Sequence, residues 1–241
     1  MDEEQAQKNG GKTLVKSIFF DAGPIISLVM SRLDWILPEL KKIYGGKFYI
    51  TPAVKLELVE RPSNIRRFEF EALQVMKMIR EGTLEVYEEP ISVRSKQLQV
   101  LANSTFKVKN KRMDIIQAGE MESVVAAMKT GSNTLVMDER TLRLFIEDNK
   151  QLEKLLEYRF KNPIETDLSN RNKFSDQLKD IKIIRSIELV SVAFKLGLLK
   201  AYLPPEKGGK AKLLDSVLWA TKYNGCAVTE AEINKIKEML L

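Results

Sequence analysis

Val15-Lys-Ser-Ile-Phe-Phe-Asp-Ala-Gly-Pro24 opens the readable part of the chain and sets its architecture. Val15 to Phe20 is a short apolar run, interrupted only by Lys16 and Ser17, of the length of a buried strand. Asp21-Ala-Gly-Pro24 ends it. Pro24 fits the first turn of a helix, where no backbone N–H is needed, and Ile25, Ile26, Leu28 and Val29 give that helix an apolar face. A strand passing directly into a helix is the unit of an α/β protein.

The pattern repeats along the chain. Leu33 to Tyr44 reads as a helix interrupted at Pro38 and stopped by Gly45-Gly46, followed by the strand KFYI at 47–50. Thr51-Pro52 supplies an N-cap and a first-position proline for a helix carrying Val54, Glu57 and Leu58. Arg66 to Arg80 and Ile91 to Leu101 read as helices, with a short strand at Leu84–Tyr87 between them. Lys107 to Arg112 reads as a basic connector. A helix over Gly119–Lys129, a strand over Thr134–Met137 and a helix over Glu139–Ile146 follow. Strands alternating with helices predict a parallel sheet.

Past Asn149 the periodicity fades. Gln151 to Phe160 has helical spacing, but Lys161 to Gln177 is polar, with Pro163 and several Asn and Ser, so 149–180 is expected to be a mobile insertion. Ile181 to Arg185 restores a strand, and helices are expected over 186–197, 210–223 and 229–241. The division is then a disordered polar tail (1–15), an α/β core (16–148), the insertion (149–180) and a closing strand with C-terminal helices (181–241).

Composition narrows the chemistry. The 241 residues include no histidine and a single cysteine, Cys226. That removes Ser-His-Asp and Cys-His nucleophilic sites, His-ligated zinc and intramolecular disulfides. Cys226, among small and apolar neighbours, reads as core. A site built from carboxylates alone selects a hard cation, Mg²⁺ or Mn²⁺. The net charge of +6 suits a polyanionic partner without identifying one. Abundant Lys and Glu match thermophile composition. With no long apolar run and no signal-peptide pattern, the expected location is the cytoplasm and no membrane association is expected.

Four acids stand at the junctions between units. Asp21 ends the first strand, Glu57 lies in the helix after the second, Glu120 opens the GEMES helix and Asp138 ends the LVM strand. In a parallel sheet the carboxyl ends of strands share one edge, where open α/β proteins build their sites, so Asp21 and Asp138 are expected to meet there. Neighbouring carboxylates repel, and a divalent cation removes the penalty. Glu122 competes with Glu120, but two positions apart they face different ways. Glu120 continues into Val124, Ala127 and Met128, whereas Glu122 leads to Val125 and Lys129, which makes Glu120 the better ligand and Glu122 a supporting or alternate one. Three of the four also have a plainer reading: Asp21 and Asp138 as helix caps, and Glu57 as an exposed helix charge with Glu60 as the fallback ligand.

These residues resemble the PIN-domain family: an apolar strand ending in Asp and a small residue (IFFDAGPIISL, 18–28), a Thr-x-x-Val-x-x-Glu helix (TPAVKLEL, 51–58), an acid opening a helix (GEMESVVAAM, 119–128) and a strand ending in an acidic turn (LVMDERTLRLF, 135–145). The Gly-Glu-x-Glu form with Asp-Glu-Arg is similar to a prokaryotic subgroup akin to the toxin ribonucleases of toxin–antitoxin pairs. The segments RSIELVSVAFKLGLL (185–199) and LLDSVLWATKYNGCAVTEAEI (213–233) look like its C-terminal portion. The resemblance spans about Ile18–Phe145 and Ile181–Leu240. It implies a three-layer α/β/α fold around a central parallel sheet, with a helical C-terminal extension. It further implies a metal-dependent endoribonuclease in which Asp21, Glu57, Glu120 and Asp138 hold one or two Mg²⁺ or Mn²⁺ ions and cleave single-stranded RNA.

Glu88–Asp114 and the segment after Asn149 are long for that family, which leaves room for structured RNA, an antitoxin-like protein or a homodimer partner, and for an inactive PIN-like scaffold that only binds. Lys107, Lys109, Lys111 and Arg112 of the basic connector, and Arg140 after Asp138, are the candidates for contacting RNA phosphates. Gly11-Lys12-Thr13 lacks the upstream glycine of a phosphate loop and precedes a strand, so it is set aside.

Overall fold

The structure is a computed structural model that describes residues 16–241. The expected polar tail, the Gly11-Lys12-Thr13 segment and Val15 lie outside the described residues. The chain begins with β1 (Ser17–Phe20), α1 (Ala22–Met30), α2 (Ile36–Tyr44) and β2 (Lys47–Ile50). A short helix α3 (Pro52–Lys55) runs into a π turn (Leu56–Glu60) and a 3₁₀ turn (Pro62–Asn64), then come α4 (Glu69–Arg80), β3 (Glu85–Val86) and α5 (Ser92–Asn103). Next are β4 (Phe106–Val108), β5 (Lys111–Arg112), α6 (Ala118–Thr130), β6 (Thr134–Val136) and α7 (Arg140–Glu147). The remainder is α8 (Asn149–Phe160), β7 (Glu165–Thr166), α9 (Leu168–Leu178), β8 (Lys182–Ile184), α10 (Ser186–Lys195), α11 (Gly209–Tyr223) and α12 (Glu230–Leu240).

Five strands form a parallel sheet in the order β3-β2-β1-β6-β8. Alternation along β1 makes the layers. Ile18 and Phe20 point into a core built with α1, α2, α4, α10, α11 and α12, while Phe19 points into a second core with α5 to α9. All four residues of β1 are buried, as a central parallel strand requires. The expected three-layer α/β/α arrangement is thus present. The C-terminal helices complete one of its layers, with Ile187, Val190, Leu214, Leu218 and Ile233 fully buried. Pro38 falls in the first turn of α2, where it breaks nothing. No helix of the described residues is long and apolar enough to cross a membrane.

Two expectations are corrected. Lys107–Arg112 is not a plain connector: β4 and β5 form a hairpin, turned by Lys109 and Asn110 at φ 48 and 61°. The 149–180 segment is built of regular elements, not the irregular, mobile stretch expected. α8 buries Leu152 and Leu156, α9 buries Phe174 and Leu178, and β7 adds a third strand to the hairpin. Phe145 joins both parts, its ring 5.2 Å from Phe106 and 4.3 Å from Phe174. The sequence signal was the i, i+4 pairs Leu152/Leu156 and Phe174/Leu178, too sparse among polar residues to register as an apolar face.

Candidate functional site

Strand order reverses at β1, whose neighbours β2 and β6 lead away in opposite directions, and such a reversal opens a crevice at the carboxyl ends of the strands. Asp21 follows β1 and Asp138 follows β6 at that edge. Register places Phe20 beside Val136, and the Asp21 amide donates to the Val136 carbonyl at 2.9 Å. The two aspartates therefore emerge side by side. A β-carbon built on Gly23 would lie 3.5 Å from Asp138 Cβ and 3.9 Å from Asp21 Oδ2, so Gly23 is the floor between them.

The other two acids come from helices. Thr51 caps α3 by accepting from the Val54 amide at 3.3 Å, and Glu57 stands in the π turn that continues it, with the Arg61 amide reaching Leu56 O at 2.9 Å. Widened turns of this kind occur often at functional sites. Glu120 lies in the first turn of α6, and its Oε2 accepts from the Gln117 amide at 2.8 Å in a capping box. A β-carbon on Gly119 would lie 4.0 Å from Glu57 Oε2, which brings these two carboxylates to the same helix end.

Asp21, Glu57, Glu120 and Asp138 all line one cavity of about 540 Å³, together with Glu139, Arg140, Gln117 and Arg159. Glu122 and Glu60 do not line it, in accord with the preference for Glu120 and Glu57. Lys107, Lys109 and Lys111 do not line it either. Arg112 borders an adjoining cavity that touches this one only at Gln117. Of the residues expected to contact RNA, Arg140 alone reaches the acids' cavity.

The acids are not equivalent. Asp138 is 3% exposed and its oxygens are taken: Oδ2 accepts from the Ser27 and Ser186 hydroxyls, both at 2.7 Å, and Oδ1 accepts from the Ser186 amide at 2.8 Å. It does not cap the helix that follows it, because Glu139 does so through Leu142 N at 2.9 Å. Instead it holds the first turn of α10. Asp21 stands at the N-cap position of α1 but makes no side-chain capping bond there. Burial drives its pKa up to about 7, against a smaller downward pull from the Ala22 and Gly23 amides, with the charges of Glu57 and Asp138 adding to the rise. Glu120 is pushed up to about 8, again mainly by burial, opposed by its Gln117 amide bond and reinforced by the charges of Glu139, Asp21 and Glu57.

No family model matches the chain, and neither a curated protein nor a solved structure matches it. What the site can do is therefore argued from its residues. The donor set is all oxygen, buried at Asp21, Glu120 and Asp138 but exposed at Glu57, as the plainer reading of that residue expected, and it is in excess over nearby cations, which suits a hard divalent ion. Among the described residues no three acids are already gathered into a metal-holding arrangement. The fit rests instead on Asp21 and Glu120, two buried carboxylates with no salt-bridge partner among the described residues, lining a cavity with three more acids, Glu57, Asp138 and Glu139. Mg²⁺ retains several waters and needs few protein oxygens.

Sequence reasoning missed Glu139, Arg159 and the serines. Ser186 had a usable signal, since it follows the IKIIR strand at the same sheet edge as Asp21 and Asp138. Ser27 was a lone polar residue on the apolar face of α1. It is fully buried, and Gly225, at φ +126°, leaves it space: a β-carbon there would come within 3.2 Å of its hydroxyl.

Proposed function

We propose that this chain is a divalent-cation-dependent endoribonuclease of PIN type acting on single-stranded RNA. The observation that carries the proposal is the meeting of Asp21, Glu57, Glu120 and Asp138 in one cavity at the switch point of the sheet, though four separate segments supply them. Asp21 and Glu120 are the residues suited to hold Mg²⁺ or Mn²⁺, with Glu57 at the more open side. Asp138 keeps β6 and α10 in place beside them through its serine bonds. When bound, the cation would activate water and stabilise charge developing on the phosphodiester. The protein supplies the orientation, the carboxylate that takes the proton from water, and a buried floor that strengthens each charge interaction.

The test is cleavage of single-stranded RNA in Mn²⁺ or Mg²⁺ by the wild type and by Asp21→Asn. Loss of cleavage in the variant, with its fold intact by circular dichroism, supports the assignment. Equal cleavage by both would sink it. A wild type that binds RNA yet takes up no Mn²⁺ by calorimetry would favour the inactive binding scaffold.

A further inference from the structure

Two arginines share the lining of the acids' cavity. Arg140 begins α7 and Arg159 stands in the last turn of α8, and both line the cavity with Leu155 between them. Five carboxylates line the same cavity, yet among the described residues neither arginine is within 4.0 Å of any acid, whereas the neighbouring Arg143 pairs with Glu147 at 3.2 Å. Long, flexible guanidinium side chains close to excess negative charge normally collapse onto it. Here the start of α7 and the last turn of α8 bring both arginines to the lining of the acids' cavity, with neither side chain drawn onto a carboxylate. A ligand that satisfies arginines and acids together is an anion whose charge faces the arginines while a cation links it to the carboxylates.

The lining also continues beyond Arg140. A second cavity of about 580 Å³ shares Arg140 and Ala227 with the first and is lined further by Arg143 and Lys222 and by Glu147, Asp148 and Glu232, of which Glu147 is paired with Arg143 and Glu232 with Arg185; the Lys222 ammonium lies 4.7 Å from the centre of the Trp219 ring. Arg140 therefore stands where the two cavities adjoin, with Arg159 in the lining of the first. α8 is fixed there by Leu152 and Leu156 in the core, so the segment expected to be a loose insertion builds one side of the site.

We propose that Arg159 and Arg140 bind successive backbone phosphates of a single RNA strand, which runs from the carboxylate cavity past Arg140 into the second cavity. This rests on the nuclease reading for its substrate, but it is measured by binding, not cleavage. The probe is a fluorescein-labelled single-stranded RNA of mixed sequence, titrated by anisotropy against the full chain over a range of salt concentrations in EDTA and in Mn²⁺. Arg159→Gln and Arg140→Gln should each weaken binding about tenfold and reduce the slope of log affinity against log salt by about 0.7. Lys154→Gln removes an equal charge from α8 away from the cavity and should leave the slope nearly unchanged. Mn²⁺ uptake by calorimetry should survive in both arginine variants.

Arginine variants that bind with wild-type affinity and slope would overturn the proposal, as would a wild type with no affinity for the RNA. A slope that falls equally in Lys154→Gln would also overturn it, since net charge alone would then explain the effect. If the arginine variants lose binding while the wild type cleaves nothing in Mn²⁺, the nuclease reading fails and this one stands.

Discussion

The ends of β1 and β6 lie side by side, each closes on an aspartate, and each aspartate is buried, yet the two residues differ. Asp138 has three short hydrogen bonds and holds another element in place. Asp21 makes no side-chain capping bond, and burial pushes it up to about 7. The difference lies in what the rest of the chain brings. Ser27 and Ser186 face Asp138, from α1 and from the start of α10, whereas Asp21 has only the Ala22 and Gly23 amides of its own turn to set against burial and the charges of Glu57 and Asp138. An aspartate at a strand end is thus either a clamp or, on the function proposed above, a latent ligand, and the residues opposite decide which.

The largest effect should come from breaking the clamp. Asp138→Ala leaves two hydroxyls and an amide without an acceptor in a dry setting, and should cost about 3–5 kcal/mol of stability in urea denaturation. The corresponding change at the other strand end should leave the fold alone and abolish function: Asp21→Asn should lower RNA cleavage by about a hundredfold or more, which by the usual conversion is about 2.7 kcal/mol of activation free energy. If Asp138→Ala were as stable as the wild type, the contrast between the two aspartates would collapse.

How much of this was legible in the sequence follows the same contrast. Asp21, Glu57, Glu120 and Asp138 were found because each stands at a boundary that local rules mark: a strand end, a capped helix with proline at its first position, a helix opening. The parallel sheet was legible because β1, β2 and β6 are nearly uninterrupted apolar runs. The partners of Asp138 were not, because a serine 48 positions downstream carries no local sign of the carboxylate it will meet. α8 and α9 were unreadable for a different reason. Each buries only two large side chains, and most of their surface faces water, so their periodicity is weak even though Phe106, Phe145 and Phe174 hold them firmly. Arg159 was hidden with them.

The latent-ligand side of the comparison has a pH signature. In the cation-free protein Asp21 and Glu120 bind protons more tightly when folded than when unfolded, since their values rise from 3.8 to about 7 and from 4.5 to about 8. Between those limits the folded state holds protons that the unfolded state has released, so stability falls as pH rises through the window. With EDTA present, thermal unfolding should occur at a lower temperature at about pH 8 than at about pH 5. Asp21→Asn and Glu120→Gln, unable to ionise, should each be more stable than the wild type at the higher pH by about 1–2 kcal/mol. Saturating Mn²⁺ should reverse the order, stabilising the wild type most at the alkaline end. A cation-free wild type that is equally stable across this range would show that the cavity does not strain these acids.

The smallest effect tests how the clamp is shared. Ser27→Ala deletes one donor to Asp138 Oδ2 and leaves the Ser186 hydroxyl on the same oxygen and the Ser186 amide on the other. The methyl fits the space already occupied, since Ser27 is fully buried and its hydroxyl is the only group removed. The loss should be about 1 kcal/mol in urea, well below that of Asp138→Ala, because no buried donor is left unpaired and the carboxylate keeps two bonds. Cleavage should change little, since the position of Asp138 is still set by α10. A loss approaching that of Asp138→Ala would mean that α1, and not α10, is the element this aspartate holds.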